Sequence, residues 1–131
     1  MRIGIVAGEP SGDNLGAGLI REFRRLHPDS SFVGIGGGAM RRERCQTLYD
    51  MTRIEAMGLE DLSGKLFDIL KIRRALLDEF LHRPPDVFVG VDVPDFNLTL
   101  EEKLRNRGIT TVHYVSPTVW AWRGYRILWI R

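Results

Sequence analysis

Two carboxylates and an amide that follow an apolar run carry most of the chemistry this sequence offers. Val87-Phe88-Val89 predicts a buried strand, and Asp92, Asp95 and Asn97 come directly after it. In open parallel sheets the ligand crevice lies outside the carboxyl ends of the strands, so an Asp at that point can face a substrate. Asp95 and Asn97 are also favoured helix caps and are compatible with that simpler role. Asp92 is therefore the candidate for acid or base chemistry.

A glycine-rich segment between the first predicted strand and helix is the second candidate. It reads Gly8-Glu9-Pro10-Ser11-Gly12-Asp13. Backbone N–H groups at a helix N-terminus favour anions, and glycine lets a ligand approach the backbone. The spacing matches neither the G-x-G-x-x-G dinucleotide pattern nor a P-loop, which needs a Lys after its last Gly. Three interpretations stay open: a sugar hydroxyl bound by Glu9, Ser11 and Asp13, a phosphate bound by the backbone, or an ordinary turn.

A third candidate segment begins at His113, in the last predicted strand. A histidine in such a β-branched run is typical of a hydrogen-bonded core residue, and Ser116 lacks the G-x-S-x-G surroundings of a hydrolase nucleophile. Trp122 and Arg123 combine an apolar wall with a guanidinium, which suits an acyl chain or a sugar face beside a phosphate. Core packing explains these residues equally well. The chain ends shortly afterwards on apolar and aromatic residues, which predicts a truncated protein.

The apolar periodicity predicts the scaffold that must position these side chains. Short β-branched runs alternate with helical patterns, which is typical of a doubly wound parallel α/β sheet. One domain over residues 1–131 fits the length. The predicted strands cover residues 2–7, 32–35, 47–49, 87–91 and 110–114, and the predicted helices cover residues 15–26, a short stretch from 39, 60–82 and 96–107.

Charge and composition exclude several classes of protein. The net charge is only +2, but the basic residues are clustered, which predicts solvated helix faces or contacts with phosphate and acidic lipid. Nucleic acid is a poor partner because basic and stacking aromatic residues do not alternate along any element. The single cysteine, Cys45, excludes an internal disulfide and is a poor metal ligand on its own. Without a membrane-spanning run or secretory leader, a cytoplasmic protein is expected.

The helix predicted from residue 60 carries an apolar stripe within roughly 100° of its circumference. A stripe of this width is typical of a helix that faces a core. It is also compatible with a helix lying in a membrane interface, with its cations near anionic head groups. The pattern alone favours the core. The stripe consists of Leu59, Leu62, Leu66, Ile69 and Leu70, and the basic residues just beyond it are Lys71, Arg73 and Arg74.

Three motifs in order, Ala7 to Asp13, Gly90 to Asn97 and His113 to Arg123, resemble the N-terminal part of the lipid-A-disaccharide synthase family. The resemblance implies the acceptor-binding, Rossmann-like half of a GT-B glycosyltransferase, an inverting enzyme that uses no metal or other cofactor. The implied reaction joins UDP-2,3-diacylglucosamine to 2,3-diacylglucosamine 1-phosphate, giving lipid A disaccharide 1-phosphate and UDP. The implied location is the cytoplasmic face of the inner membrane of a Gram-negative bacterium, with the protein bound peripherally.

The resemblance also implies roles for individual residues. It puts a general base on Asp92 and membrane contact on Leu59 to Leu70, which favours the interfacial interpretation of that helix. Because the family's second domain holds the UDP-sugar, this chain alone is expected to lack the groups that stabilise the leaving UDP and to be inactive. The resemblance puts the glycine-rich acceptor loop on Glu9, Ser11, Gly12 and Asp13. The other residues predicted to bind substrate are Asn97, Ser116, Trp122 and Arg123.

Two other functions remain compatible with the sequence. One is a Rossmann-like binding module without catalytic activity. The other is a UDP-sugar epimerase of the same two-domain build, which would not require acyl chains on its substrate. Dependence of activity on acyl chains would separate the epimerase from the lipid A transferase.

Overall fold

The computed structural model of the chain describes residues 1–55 and 62–114, with side chains in the second range from residue 65. The strands are β1 (Arg2–Val6), β2 (Ser31–Gly36), β3 (Cys45–Asp50), β4 (Val87–Gly90) and β5 (Thr110–His113), and the helices are α1 (Pro10–Leu26), α2 (Gly38–Arg42), α3 (Leu62–His82) and α4 (Pro94–Arg105). The strands form one sheet in the order β3-β2-β1-β4-β5, and every pairing is parallel. The predicted α/β class is confirmed.

Helices cover both faces of this sheet because its strands are apolar on both sides. Ile5 of β1 packs with Ile20 of α1 in one buried cluster. The next residue, Val6, points to the opposite face and packs in a second cluster with Phe80 of α3 and Leu100 of α4. Successive side chains of a strand point to opposite faces, so one β-branched strand supplies both layers. The carboxyl ends of β1 and β4 are thereby fixed from both sides.

The first helix begins earlier than the sequence indicated. Pro10 is its first residue, so Ser11, Gly12 and Asp13 form its first turn instead of a loop. Proline is well suited to this position, because the N–H group that it lacks would have no partner within the helix. The connection from β1 is therefore short, and the start of α1 lies close to the end of the sheet.

The fourth helix also begins early, at Pro94, and no side chain caps it. The cap is the backbone of Val93, which has φ 38° and ψ 66° in the left-handed region. A β-branched residue rarely adopts this conformation, which costs on the order of 1–3 kcal/mol. The alternative role of Asp95 and Asn97 as caps is therefore wrong. The turn at Val93 instead fixes the direction in which Asp92 leaves the sheet.

Candidate active site

The ends of the two neighbouring strands β1 and β4 meet at Asp92. The parallel pairing continues one residue beyond β4, where the N–H of Val91 donates to the carbonyl oxygen of Val6 at 2.8 Å. In the next residue, the Oδ1 atom of Asp92 accepts a hydrogen bond of 2.7 Å from the N–H of Gly8. The side chain of Asp92 thus reaches from β4 to the connection that follows β1.

Gly12 makes room for the second oxygen of this carboxylate. The Oδ2 atom of Asp92 is buried, and no residue in the described ranges donates a hydrogen bond to it. A Cβ atom at position 12 would lie 1.8 Å from Oδ2, which is far inside van der Waals contact. Glycine is therefore required in the first turn of α1 for Asp92 to keep this position.

The surroundings of Asp92 raise its pKa to about 7. Burial is the largest cause, because it disfavours the ionised carboxylate. The hydrogen bond from Gly8 opposes this effect, and the nearby charge of Glu9 adds to it. A carboxylate that exchanges its proton near neutral pH is suited to general acid–base chemistry, and such values are concentrated at functional sites.

Asn97 supports the backbone of Asp92 through its side-chain amide. Its side chain is fully buried, and Nδ2 donates to the carbonyl oxygen of Asp92 at 2.7 Å and to that of Val6 at 3.3 Å. One amide group therefore joins the ends of β1 and β4. In the structure Asn97 thus supports the backbone of Asp92, and its contact with substrate stays a prediction.

Asp13 is likewise occupied within the fold. Its side chain is buried, and its carboxylate accepts hydrogen bonds of 2.9, 2.9 and 3.0 Å from the backbone N–H groups of Gly37, Ala39 and Met40. These groups lie at the start of α2, where a carboxylate is favoured by the helix dipole. Within the glycine-rich segment, Glu9 is partly exposed and Ser11 is exposed, so these two side chains are accessible to a ligand.

A buried pair of ionisable side chains, which the sequence did not reveal, lies at the same edge of the sheet. Glu101 of α4 is fully buried, and its Oε2 atom lies 2.8 Å from Nδ1 of His113 at the end of β5. His113 was expected to be a hydrogen-bonded core residue, and its side chain is indeed buried. Glu101 was missed, because the local sequence does not distinguish it from its exposed neighbour Glu102.

An exposed apolar patch lies on α3, and we define it as Leu66, Phe67 and Leu70. Their exposed fractions are 44%, 67% and 43%. Ile69, predicted to lie on the same surface, instead packs against the core. Phe67 was not predicted to belong to the patch.

The remaining predicted residues of these two sites are not described. Leu59, Ser116, Trp122 and Arg123 lie outside the described residues, and so does the side chain of Leu62. Within the described ranges, no helix combines the length and the hydropathy needed to cross a membrane. In the same ranges, no group of three or more His, Cys, Asp or Glu side chains could hold a metal ion.

A five-stranded parallel sheet with helices on both faces defines a Rossmann-like fold. The same fold occurs in a solved structure titled "Crystal Structure Analysis of the Glycotransferase of kitacinnamycin", with a TM-score of 0.56 and 16% identity. The similarity covers 87% of this chain and 30% of that one. The fold class is thus one that glycosyltransferases use.

The chain belongs to the lipid-A-disaccharide synthetase family, whose model matches residues 3–131. Curated relatives named lipid-A-disaccharide synthase are 57% identical over 127 residues in Vibrio vulnificus (strain YJ016) and 54% identical over 127 residues in Aliivibrio fischeri (strain MJ11). Each match covers 97% of this chain and 33% of the relative. The chain therefore spans about a third of the length of these relatives, and the family predicted from the three motifs is confirmed.

Proposed function

We propose that this chain is the acceptor-binding part of an inverting glycosyltransferase of lipid A biosynthesis. The reaction joins UDP-2,3-diacylglucosamine to 2,3-diacylglucosamine 1-phosphate. The acceptor hydroxyl attacks the anomeric carbon, the bond from that carbon to UDP breaks, and the hydroxyl proton is transferred to a base. In this proposal Asp92 is the base, and the UDP-sugar binds to a domain that corresponds to the remaining length of the relatives.

The observation that supports this proposal most directly is the environment of Asp92. The carboxylate lies at the carboxyl edge of a parallel sheet, and burial raises its pKa to about 7. General-base catalysis is most effective when the pKa of the base is near the working pH, and it contributes roughly 10²- to 10⁴-fold. Glu9 and Ser11 lie beside this site with partly or fully exposed side chains, so we assign them to the acceptor sugar.

The test of this proposal is a chimera that joins residues 1–131 to the remaining sequence of the Vibrio vulnificus relative. UDP release is measured with the diacylated donor and acceptor. Asp92→Asn should lower kcat by roughly 10²-fold or more, because the amide cannot take up the proton. Asp95→Asn is the matched control, since Asp95 is exposed three residues away and should leave turnover near that of the parent.

Two results would contradict the assignment. Near-normal turnover in the Asp92→Asn chimera would remove Asp92 from the catalytic role. Equal turnover with substrates that lack acyl chains would instead favour a UDP-sugar enzyme of another class. A circular dichroism spectrum of each variant establishes that the loss does not come from unfolding.

We also propose peripheral binding to the cytoplasmic side of a membrane that contains anionic lipid, through the patch Leu66, Phe67 and Leu70. Lys71 and Arg74 are exposed on the same helix. Apolar side chains flanked by cations are suited to the boundary between head groups and acyl chains. Substrates with acyl chains reside in such a membrane, so the patch would bring the domain to its acceptor.

A further inference from the structure

Two ionisable side chains that the proposed reaction does not use are buried together at the ligand edge of the sheet. The side chains of Glu101 and His113 are each 1% exposed, and Oε2 of Glu101 lies 2.8 Å from Nδ1 of His113. A carboxylate only accepts hydrogen bonds, so we assign Nδ1–H as the donor. Apolar side chains can often replace such a buried pair without loss of stability. Stability alone therefore does not explain why this chain has it.

Gly90 is what allows Glu101 to reach His113. Gly90 of β4 is the register partner of His113 of β5. A Cβ atom at position 90 would lie 2.3 Å from Oε2 of Glu101 and 3.0 Å from Cβ of Asn97. Asn97 and Glu101, one turn apart on α4, thus both lie over Gly90, two residues before Asp92. The buried pair and the proposed base therefore belong to one cluster.

This cluster contains most of the incompletely satisfied polar atoms in the described ranges. Five buried side-chain atoms there have no hydrogen-bond partner, and four of them are Asp92 Oδ2, Asn97 Oδ1, Glu101 Oε1 and His113 Nε2. The interiors of folded proteins contain few such atoms, and each one calls for an explanation. Their concentration around a single carboxylate indicates a site that is organised for chemistry.

Other charged residues lie near this pair. Arg105, on the solvent side of α4, has Nη1 3.9 Å from Oε1 of Glu101, and Glu101 bonds the His113 ring. Asp92 is also near this pair, and Glu9 at the start of α1 is near Asp92. Burial is the main cause that raises the pKa of Asp92 to about 7, and the influence of His113, which lowers this pKa, is the weakest of the causes.

We propose that Glu101 and His113 are a positioning pair for Asp92: the Glu101 carboxylate fixes the His113 ring beside Gly90, and this arrangement holds the strand end from which Asp92 extends. The catalytic meaning of this pair rests on the proposed role of Asp92 as a base. The effect of the pair on Asp92 does not rest on that role, because the protonation of Asp92 can be measured without turnover.

The test is an NMR titration of the Asp92 carboxyl carbon in the 131-residue chain. The signal is identified by its disappearance in Asp92→Asn. His113→Gln removes the ring that lowers the pKa of Asp92 and should move the titration midpoint of Asp92 upward, by much less than burial raises it. Glu101→Gln keeps an acceptor oxygen for Nδ1–H but removes the negative charge that the ring faces, and it should also move the midpoint of Asp92.

Two exposed residues provide matched controls. Glu102→Gln removes the same charge from the neighbouring position of α4, and His82→Gln removes a histidine from the end of α3. Neither should move the midpoint of Asp92. Circular dichroism establishes the fold of each variant, and Glu101→Gln carries the test if His113→Gln does not fold.

Unchanged titration midpoints of Asp92 in the folded variants would overturn the inference. The pair would then serve only as a structural contact between α4 and β5. That result would leave the transferase proposal intact, because the proposal depends on turnover by the Asp92→Asn chimera. The opposite result is a normally active Asp92→Asn chimera together with a shifted Asp92 midpoint in His113→Gln. It would refute the role of Asp92 as the base and support the effect of the pair on Asp92.

Discussion

At the scale of single residues, Asp92 is held firmly but in a position that disfavours its charge. The N–H of Gly8 bonds one oxygen, and the other is buried against Gly12. Asn97 fixes the backbone behind it, and the left-handed turn at Val93 follows it. Conflicts of this kind between local preference and structure are concentrated at functional sites, where the rest of the fold sustains them. The free energy of unfolding of the chain should therefore depend on whether Asp92 is ionised.

Asp92→Asn should stabilise the folded chain at alkaline pH and not at acidic pH. The pKa of Asp92 is raised from 3.8 to about 7 on folding, so between these values the folded state keeps a proton that the unfolded state has lost. The free energy of unfolding of the parent therefore falls as pH rises through this window. The full shift corresponds to about 4 kcal/mol. Partial exposure of the group reduces the expected effect to about 2 kcal/mol.

Urea denaturation of the parent and Asp92→Asn at about pH 4 and pH 8 measures this effect, the two values lying near the limits of the titration window. The variant should be the more stable protein at the higher pH, and the difference should decrease toward the lower one. Asp95→Asn, at an exposed position, should show no comparable trend. A difference that is the same at both pH values would show that folding does not raise the pKa of Asp92.

At the scale of elements, Asp13 joins the first two helices. It lies in the first turn of α1 and accepts three hydrogen bonds from the N-terminal backbone of α2 and the residue before it. A helix as short as α2, five residues, is not stable by itself. We infer that this carboxylate determines where α2 begins and how it is placed over the sheet.

Asp13→Ala should lower the free energy of unfolding by roughly 2–4 kcal/mol, because it leaves three backbone N–H groups near the protein interior without their acceptor. Urea denaturation at neutral pH measures the loss, and Asp29→Ala, at an exposed position, is the control. A variant that kept the stability of the parent but lost acceptor binding in the chimera would return Asp13 to the substrate site.

At the scale of the whole molecule, the sequence predicted the parts of the fold that depend on local pattern. Alternating β-branched runs and helical stripes were sufficient for the parallel sheet, and the rule for carboxyl edges was sufficient to place Asp92 at that edge. The roles of Asp13 and Glu101 could not be predicted, because their partners lie 24 to 27 and 12 residues away. Periodicity on α3 likewise could not separate Ile69, which packs on the core, from exposed Leu66.

The exposed part of that helix is the surface through which we propose that the domain binds a membrane. Leu66, Phe67 and Leu70 form an exposed apolar surface, and the exposed cations Lys71 and Arg74 lie on the same helix. Apolar patches rimmed by polar residues are typical of interaction sites. If lipid covers the patch, affinity should depend on both its apolar side chains and the negative charge of the membrane.

Leu66→Ser combined with Leu70→Ser should weaken binding to vesicles of phosphatidylethanolamine and phosphatidylglycerol by roughly ten- to thirtyfold. Each leucine is about half exposed and would contribute on the order of 1 kcal/mol when lipid covers it. Flotation of the 131-residue chain measures the bound fraction, and Leu26→Ser, which removes an exposed leucine from α1, should bind as the parent does. Salt should weaken binding of the parent because it screens the cations. Equal flotation of the parent and the double variant would mean that the membrane does not contact this face, and the patch would then be a surface for another protein or domain.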